Sequence, residues 1–258
     1  MNLFSTEVSI LWPALIAGIL VLISHVPLGQ QVFARGIVFI DLAIAQVAGL
    51  GVIAASGFGL PVEGWTAQAA AGAAALAGAL LLTWTERKRP EAQEALIGIL
   101  FVLASAAQIL LLANDPHGGD NLKDLLSGQI LWVSSTQLWR TAILTGVFAL
   151  VWFLWRERIG RIGFYMLFAV VVTASVQMVG VYLVFTSLIV PAVATYRIAG
   201  RRQLAVGYGL GIASYVVGLA LSVVTDLPSS AVIVWTMAVL GLLVHLCTNG
   251  GPVPARQG

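Results

Sequence analysis

The stretch FIDLAIAQVAGLGV, residues 39–52, is apolar or small except for Asp41 and Gln46. If it crosses a bilayer, its carboxylate stands in hydrocarbon, where charge is expensive and an ionisable side chain marks a functional hypothesis. Three uses fit such an aspartate. It can ligate a passing cation, carry a proton, or act as a structural acceptor that caps a helix or pairs with Arg35. Gln46 follows five residues later, about 500° around a helix and so about 140° away from Asp41. The two do not share one face, although both could line a pathway between helices. Gln46 also suits bonding to a neighbouring helix, as do Gln68 and Gln108. Gln177 and Met178 stand beside Val179–Gly180, a helix break whose free carbonyls could line a cavity.

The remaining polar chemistry is sparse. His25 and His245 fall near the expected ends of spans, where an interfacial role is the plain expectation. His117 lies in DPHGGD, whose spacing fits no metal-ligand template and reads as a solvated loop. No nucleophile stands beside a base. The chain has no G-x-x-x-x-G-K-[ST], so it does not itself hold ATP through a P-loop, and no Gly-x-Ser-x-Gly, His-Glu-x-x-His or Cys-x-x-Cys. That pattern argues for a transporter or a membrane scaffold rather than an enzyme.

The elements that carry these residues follow from composition. Of 258 residues, 59% are hydrophobic and 9% charged, with a mean hydropathy of +0.97. A soluble globular chain carries roughly 25% charged residues, so the bilayer is the solvent here. A net charge of +2 with no basic tract gives no reason to expect nucleic acid. About 20 apolar residues cross the hydrocarbon core. Spans are expected near 9–27, 37–57, 65–85, 94–113, 137–155, 163–179, 181–197, 204–224 and 230–248. The stretch 163–197 holds either two spans or one span and a re-entrant piece. The opening MNLFSTEVSILW lacks a basic leader region, so the first apolar segment is expected to stay as a span.

Positive charge orients the set. With the N-terminus outside and the C-terminus cytoplasmic, the inner segments hold Arg35, Arg87, Lys88, Arg89, Arg156, Arg158, Arg161, Arg197, Arg201, Arg202 and Arg256. Only Lys123 and Arg140 fall outside, so eleven of the thirteen basic residues share one side. The outer side collects Glu7, Glu63, Asp115, Asp120, Asp124 and Asp226. The run AQAAAGAAALAGA, 67–79, and the Gly207/Gly211 pair let helices approach closely. Cys247, the single cysteine, is expected as a small buried hydrophobe. The longest polar stretch, 114–135, starts as a Gly/Pro/Asp loop and turns into LKDLLSGQILWV, fit to lie at the outer interface. One membrane domain over 1–258 is expected.

Four blocks in order resemble the membrane permease subunits of zinc/manganese/iron-type ATP-binding-cassette importers. They are PLGQQVFARGIVFIDLAIAQVAGLGV (27–52), ALIGILFVLASAAQILLL with LKDLLSGQILWVSSTQL (95–112 and 122–138), VGVYLVFTSLIVPAVATYRIAGR (179–201) and TDLPSSAVIV (225–234). The resemblance implies an all-α, polytopic permease of about eight or nine transmembrane helices, of the type II importer kind, in the bacterial inner membrane. It implies a homodimer of permeases, two ATPase subunits and an extracytoplasmic metal-binding protein. No cofactor would be held permanently, and a divalent metal ion would be the cargo. By the same resemblance Asp41 would be the metal ligand or gate, with Gln46 and Gln177 as weaker lining residues. Pro191, Tyr196, Arg197, Arg201 and Arg202 would meet the ATPase.

The chain departs from that family pattern twice. Where the family carries a histidine in the second helix, this chain has Ala45, or Gln46 with a one-residue slip. Losing an imidazole removes a ligand suited to zinc, whereas carboxylate and amide oxygens suit a harder cation. Where the family carries an acidic cytoplasmic insert, this chain has only WRERIGRIG, 155–163. The first departure leaves open a metal chelate or small cofactor as cargo. A non-transporting membrane anchor or regulatory subunit is a further alternative.

Overall fold

The computed structural model describes residues 3–59, 64–113, 126–128, 130–155 and 158–248. His117, Lys123, Arg156, Arg256, Glu63, Asp115, Asp120, Asp124 and most of the expected interfacial segment lie outside the described residues. Among the described residues there is no strand. The helices are α1 (Leu3–Arg35), α2 (Ile40–Gly57), α3 (Gly64–Lys88), α4 (Gln93–Leu112), α5 (Ser135–Trp155), α6 (Arg161–Val179), α7 (Val181–Thr195), α8 (Arg201–Thr225) and α9 (Ser229–Thr248). Eight of these described helices are long and apolar enough to cross a membrane. The ninth, α7, has 15 residues, about 22 Å of helix.

The helices divide into an inner and an outer set. In α1 and α6, 56% and 61% of the most apolar window is buried, against 17% in α4 and α9. Outward faces of the outer set are rows of Leu, Ile, Val and Trp, which only lipid or another membrane helix can cover.

Helix α1 corrects the expected first span. The sequence predicts a helix over 9–27 and a loop after Pro27, yet α1 runs through Pro27 to Arg35. Proline normally interrupts a helix because it lacks the N–H that would bond the carbonyl four residues back. Here that carbonyl belongs to Ile23, and the Tyr208 hydroxyl donates to it at 3.0 Å. The orphan acceptor is satisfied from α8, and the helix continues. The correction carries His25 with it: the side chain is fully buried, with no exposed surface, because eight more helical residues separate it from the end of α1.

The doubtful stretch 163–197 resolves into two helices. Gly180 has φ +84°, a conformation that favours glycine, and it separates α6 from α7. Its backbone lies against that of Gly128, too close for a Cβ on either residue. Gly128 closes over this break, and the short turn Ile130–Trp132 that follows packs on α1, with Ile130 buried and Trp132 exposed. The carbonyls expected to line a cavity there are covered instead.

Helix α7 then runs parallel to α1. Gly29 lies directly against the Leu188 carbonyl, and Phe33 packs on Tyr196 at 5.9 Å. Helix α8 runs antiparallel to α1, with Gly207 against Val26 and Gly211 against Leu22. The GxxxG pair is therefore spent on packing within the chain.

Nine alternating helices leave one end of the bundle basic. Arg161 pairs with Glu86 at 3.2 Å, and Arg35 lies 4.0 Å over the Phe164 ring. Arg87, Lys88, Arg197, Arg201 and Arg202 belong to the same end by chain direction. Arg140, in the second turn of α5, is at the opposite end.

Candidate transport pathway

The chain enters α2 through a tight turn at Gly36, whose φ is +70°. Helix α2 then starts at Phe39, which has no side chain able to cap it. The first amides of a helix need acceptors, and one comes from another helix: Glu94 of α4 accepts the Phe39 N–H at 3.2 Å. Asp41 sits in the first turn of α2, close to the basic end and completely buried. Neither carboxylate oxygen has a hydrogen-bond partner among the described residues. Both structural roles open to it in the sequence, a helix cap and a pair with Arg35, are thus unfilled. An unpaired buried carboxylate costs several kcal/mol, roughly. A cation or a proton is the natural partner for such a group.

The other named polar residues separate. Gln108 donates its amide to the Gln46 side chain at 2.6 Å and to the Gln46 backbone carbonyl at 2.8 Å. Gln46 thereby ties α2 to α4. Gln177 lies near the far end of α6, in a groove it shares with Gln68, Gln137 and Arg140. Asp41 and Gln177 stand at opposite ends of the bundle, and no group of three His, Cys, Asp or Glu forms among the described residues.

His25 is the buried polar residue whose position the sequence did not reveal. Its Nδ1 lies 2.9 Å from the Val21 carbonyl and 3.0 Å from Ser24 Oγ, and Nε2 has no partner among the described residues. Its only signal in the sequence was its polarity inside an apolar run; the apparent loop after Pro27 hid its depth. His245, by contrast, stays near the basic end, stacked on Tyr196 at 5.8 Å.

At that end α7 finishes with Thr195, whose hydroxyl bonds the Pro191 carbonyl at 2.7 Å. Arg197 Nε donates to the Tyr196 hydroxyl at 2.8 Å. Gly200, with φ +65°, turns the chain into Arg201 and Arg202 at the start of α8, both exposed. Tyr196, Arg197, Arg201 and Arg202 thus follow one another at this end, whereas Pro191, expected among them, is buried inside α7. Cys247 departs from expectation: it is an exposed free thiol, because it points away from the face by which α9 packs on α8.

A polytopic helical bundle with a buried carboxylate that has no partner among the described residues has the makeup of a membrane permease. The chain belongs to the ABC 3 transport family, which it matches over residues 7–162 and 158–248. The two stretches meet in the short loop after α5. It is similar to the manganese transport system membrane protein MntC of Halalkalibacterium halodurans, 28% identical over 90% of this chain and 85% of that one. It is also similar to an uncharacterized membrane protein, slr2045, of Synechocystis sp., 27% identical over 89% and 88%. In fold it resembles PsaBC from Streptococcus pneumoniae, with a TM-score of 0.75 and 22% identity over 94% of this chain and 95% of that one. An inward-facing transporter described as of the metal-chelate ABC type gives 0.70 at 15% identity over 92% and 85%.

Proposed function

We propose that this chain is the membrane subunit of an ABC importer that carries a divalent metal ion into the cytoplasm by alternating access. Two copies of the permease would work with two separate ATPase subunits and an extracytoplasmic metal-binding protein. The excess of Arg and Lys supports a cytoplasmic place for the basic end; the N-terminus would then lie outside, in a bacterial inner membrane. The turn from Tyr196 to Arg202 then faces the ATPase, with Pro191 buried behind it.

The observation that carries this reading is Asp41: a carboxylate wholly buried, without a partner among the described residues, in the first turn of α2 at the basic end. A transit ligand must release its ion, so a single carboxylate per protomer suits passage better than a closed cage. Oxygen chemistry and the family histidine's absence favour manganese over zinc, in keeping with the manganese transport for which the MntC relative is named.

The test is ATP-driven uptake of radiolabelled manganese, zinc and iron in proteoliposomes holding the permease, its ATPase and its binding protein. Asp41→Asn keeps the shape and removes the charge. Manganese uptake falls by about tenfold or more, the equivalent of about 1.4 kcal/mol. Uptake unchanged in the variant would make Asp41 structural. If wild type moves a metal chelate but no free metal, the cargo assignment fails while the permease assignment stands. If nothing is transported, the anchor reading replaces both.

A further inference from the structure

Helices α3 and α5 do not close against each other over α6, and a groove of about 520 Å³ opens between them. Its rim and its depth differ in chemistry. At the rim, the end opposite the basic cluster, stand Gln68, Gln137, Arg140 and Gln177, with Trp65 beside them. Below the rim the walls are apolar, from Ile143 and Val147 on α5 to Leu167 and Val170 on α6. Those apolar residues are partly to largely exposed.

The rim is arranged to receive negative charge. Arg140 lies 4.8 Å over the Trp65 ring, which fixes the guanidinium while leaving its donor edges available. Among the described residues no carboxylate lines the groove. Gln137 uses its carbonyl oxygen to accept from Ser134 N at 3.0 Å and from Ser134 Oγ at 3.1 Å. That bond closes the start of α5 and leaves the Gln137 amide N–H group as a donor. The first amides of α5 add a positive helix terminus at the same level.

The depth is matched to one leaflet. From Gln177 to Leu167 is ten residues of α6, about 15 Å along the helix. The hydrocarbon core is about 30 Å thick, so the apolar wall covers about half of it. A surface carboxylate of a docking protein would satisfy Arg140 but leave this wall bare. A free anion would do the same. A divalent cation would meet an arginine at the mouth.

We propose that this groove is a binding site for an anionic phospholipid, with the phosphate on Arg140 and the rim amides and one acyl chain along α5 and α6. In the orientation proposed above, the lipid belongs to the outer leaflet. Asp41 takes no part, being at the other end of the bundle.

Native mass spectrometry of the full-length permease in mild detergent tests this, with palmitoyl-oleoyl phosphatidylglycerol and the matching phosphatidylcholine as probes. Wild type retains the anionic lipid about fivefold better, the effect expected for one basic residue near the anionic headgroup. Arg140→Gln removes the preference, and Arg140→Lys keeps part of it. Val147→Trp, which fills the depth and leaves Arg140 in place, lowers retention of both lipids. Each variant is compared with wild type in melting temperature, and none of the readouts needs transport. The proposal is overturned if wild type holds both lipids equally, or if Arg140→Gln leaves retention unchanged.

Discussion

Glu94 and Phe39 are 55 positions apart in sequence, yet the Glu94 carboxylate accepts the Phe39 amide at 3.2 Å and so closes the start of the helix that carries Asp41. The acceptor that α2 lacks at its own N-cap is supplied by α4. A carboxylate at that place also meets the positive end of the helix. Since Asp41 is only two residues further on, its position depends on this bond.

Glu94→Ala is expected to remove the cap at a cost of about 1 kcal/mol, whereas Glu94→Gln keeps an acceptor and recovers most of it. The check is independent of transport. In a Cys247→Ser background, Asp41→Cys is buried and reacts slowly with a charged thiol reagent. Adding Glu94→Ala speeds labelling about fivefold, the population shift that 1 kcal/mol allows. Labelling at the wild-type rate would mean that α2 holds its start without Glu94.

Tyr208 and Pro27 make a second dependence. The hydroxyl that satisfies Ile23 is needed only because Pro27 withholds an N–H. Tyr208→Phe leaves a part-buried carbonyl unpaired and is expected to cost about 1 kcal/mol. Pro27→Ala restores the helix's own donor, so Tyr208→Phe costs much less in that background. The readout is a double-mutant cycle on melting temperature in detergent. Strict additivity would show that the Tyr208 bond does not compensate for Pro27.

The same pair shows how far the sequence could be read. Composition and hydropathy reported the helical membrane class, because lipid demands internally satisfied backbone and apolar faces. The alternation of basic residues reported the helix parity, and the break at Gly180 fell where a positive φ was needed. Local signals misled where a distant residue intervened. Pro27 read as the end of a span because nothing near it announces Tyr208, and His25 was placed at an interface for the same reason. Gln46 was open between glue and pathway until Gln108 was seen against it. Cys247 showed the opposite failure: hydropathy does not distinguish a face that meets protein from one that meets lipid. Asp41 stood out from its residue type alone, but its lack of any partner is a property of the packed bundle.

Gly180 ties the α6–α7 break to the segment that covers it. Its φ of +84° disfavours any side chain, and a Cβ there would overlap the Gly128 backbone. Backbone strain of this kind and overpacking each cost about 1–3 kcal/mol. Gly180→Ala is therefore expected to lower the melting temperature sharply and to reduce the amount of protein in the membrane, with Gly128→Ala behaving alike because the same contact fails. Gly72→Ala is the control: it lies within α3 with nothing near its would-be Cβ, and alanine favours a helix over glycine by about 1 kcal/mol. It should melt at or above wild type. If Gly180→Ala melts with wild type, α6 and α7 are not held apart by this glycine contact. If Gly72→Ala falls as far as the other two, any added methyl group is harmful and the contact carries no special weight.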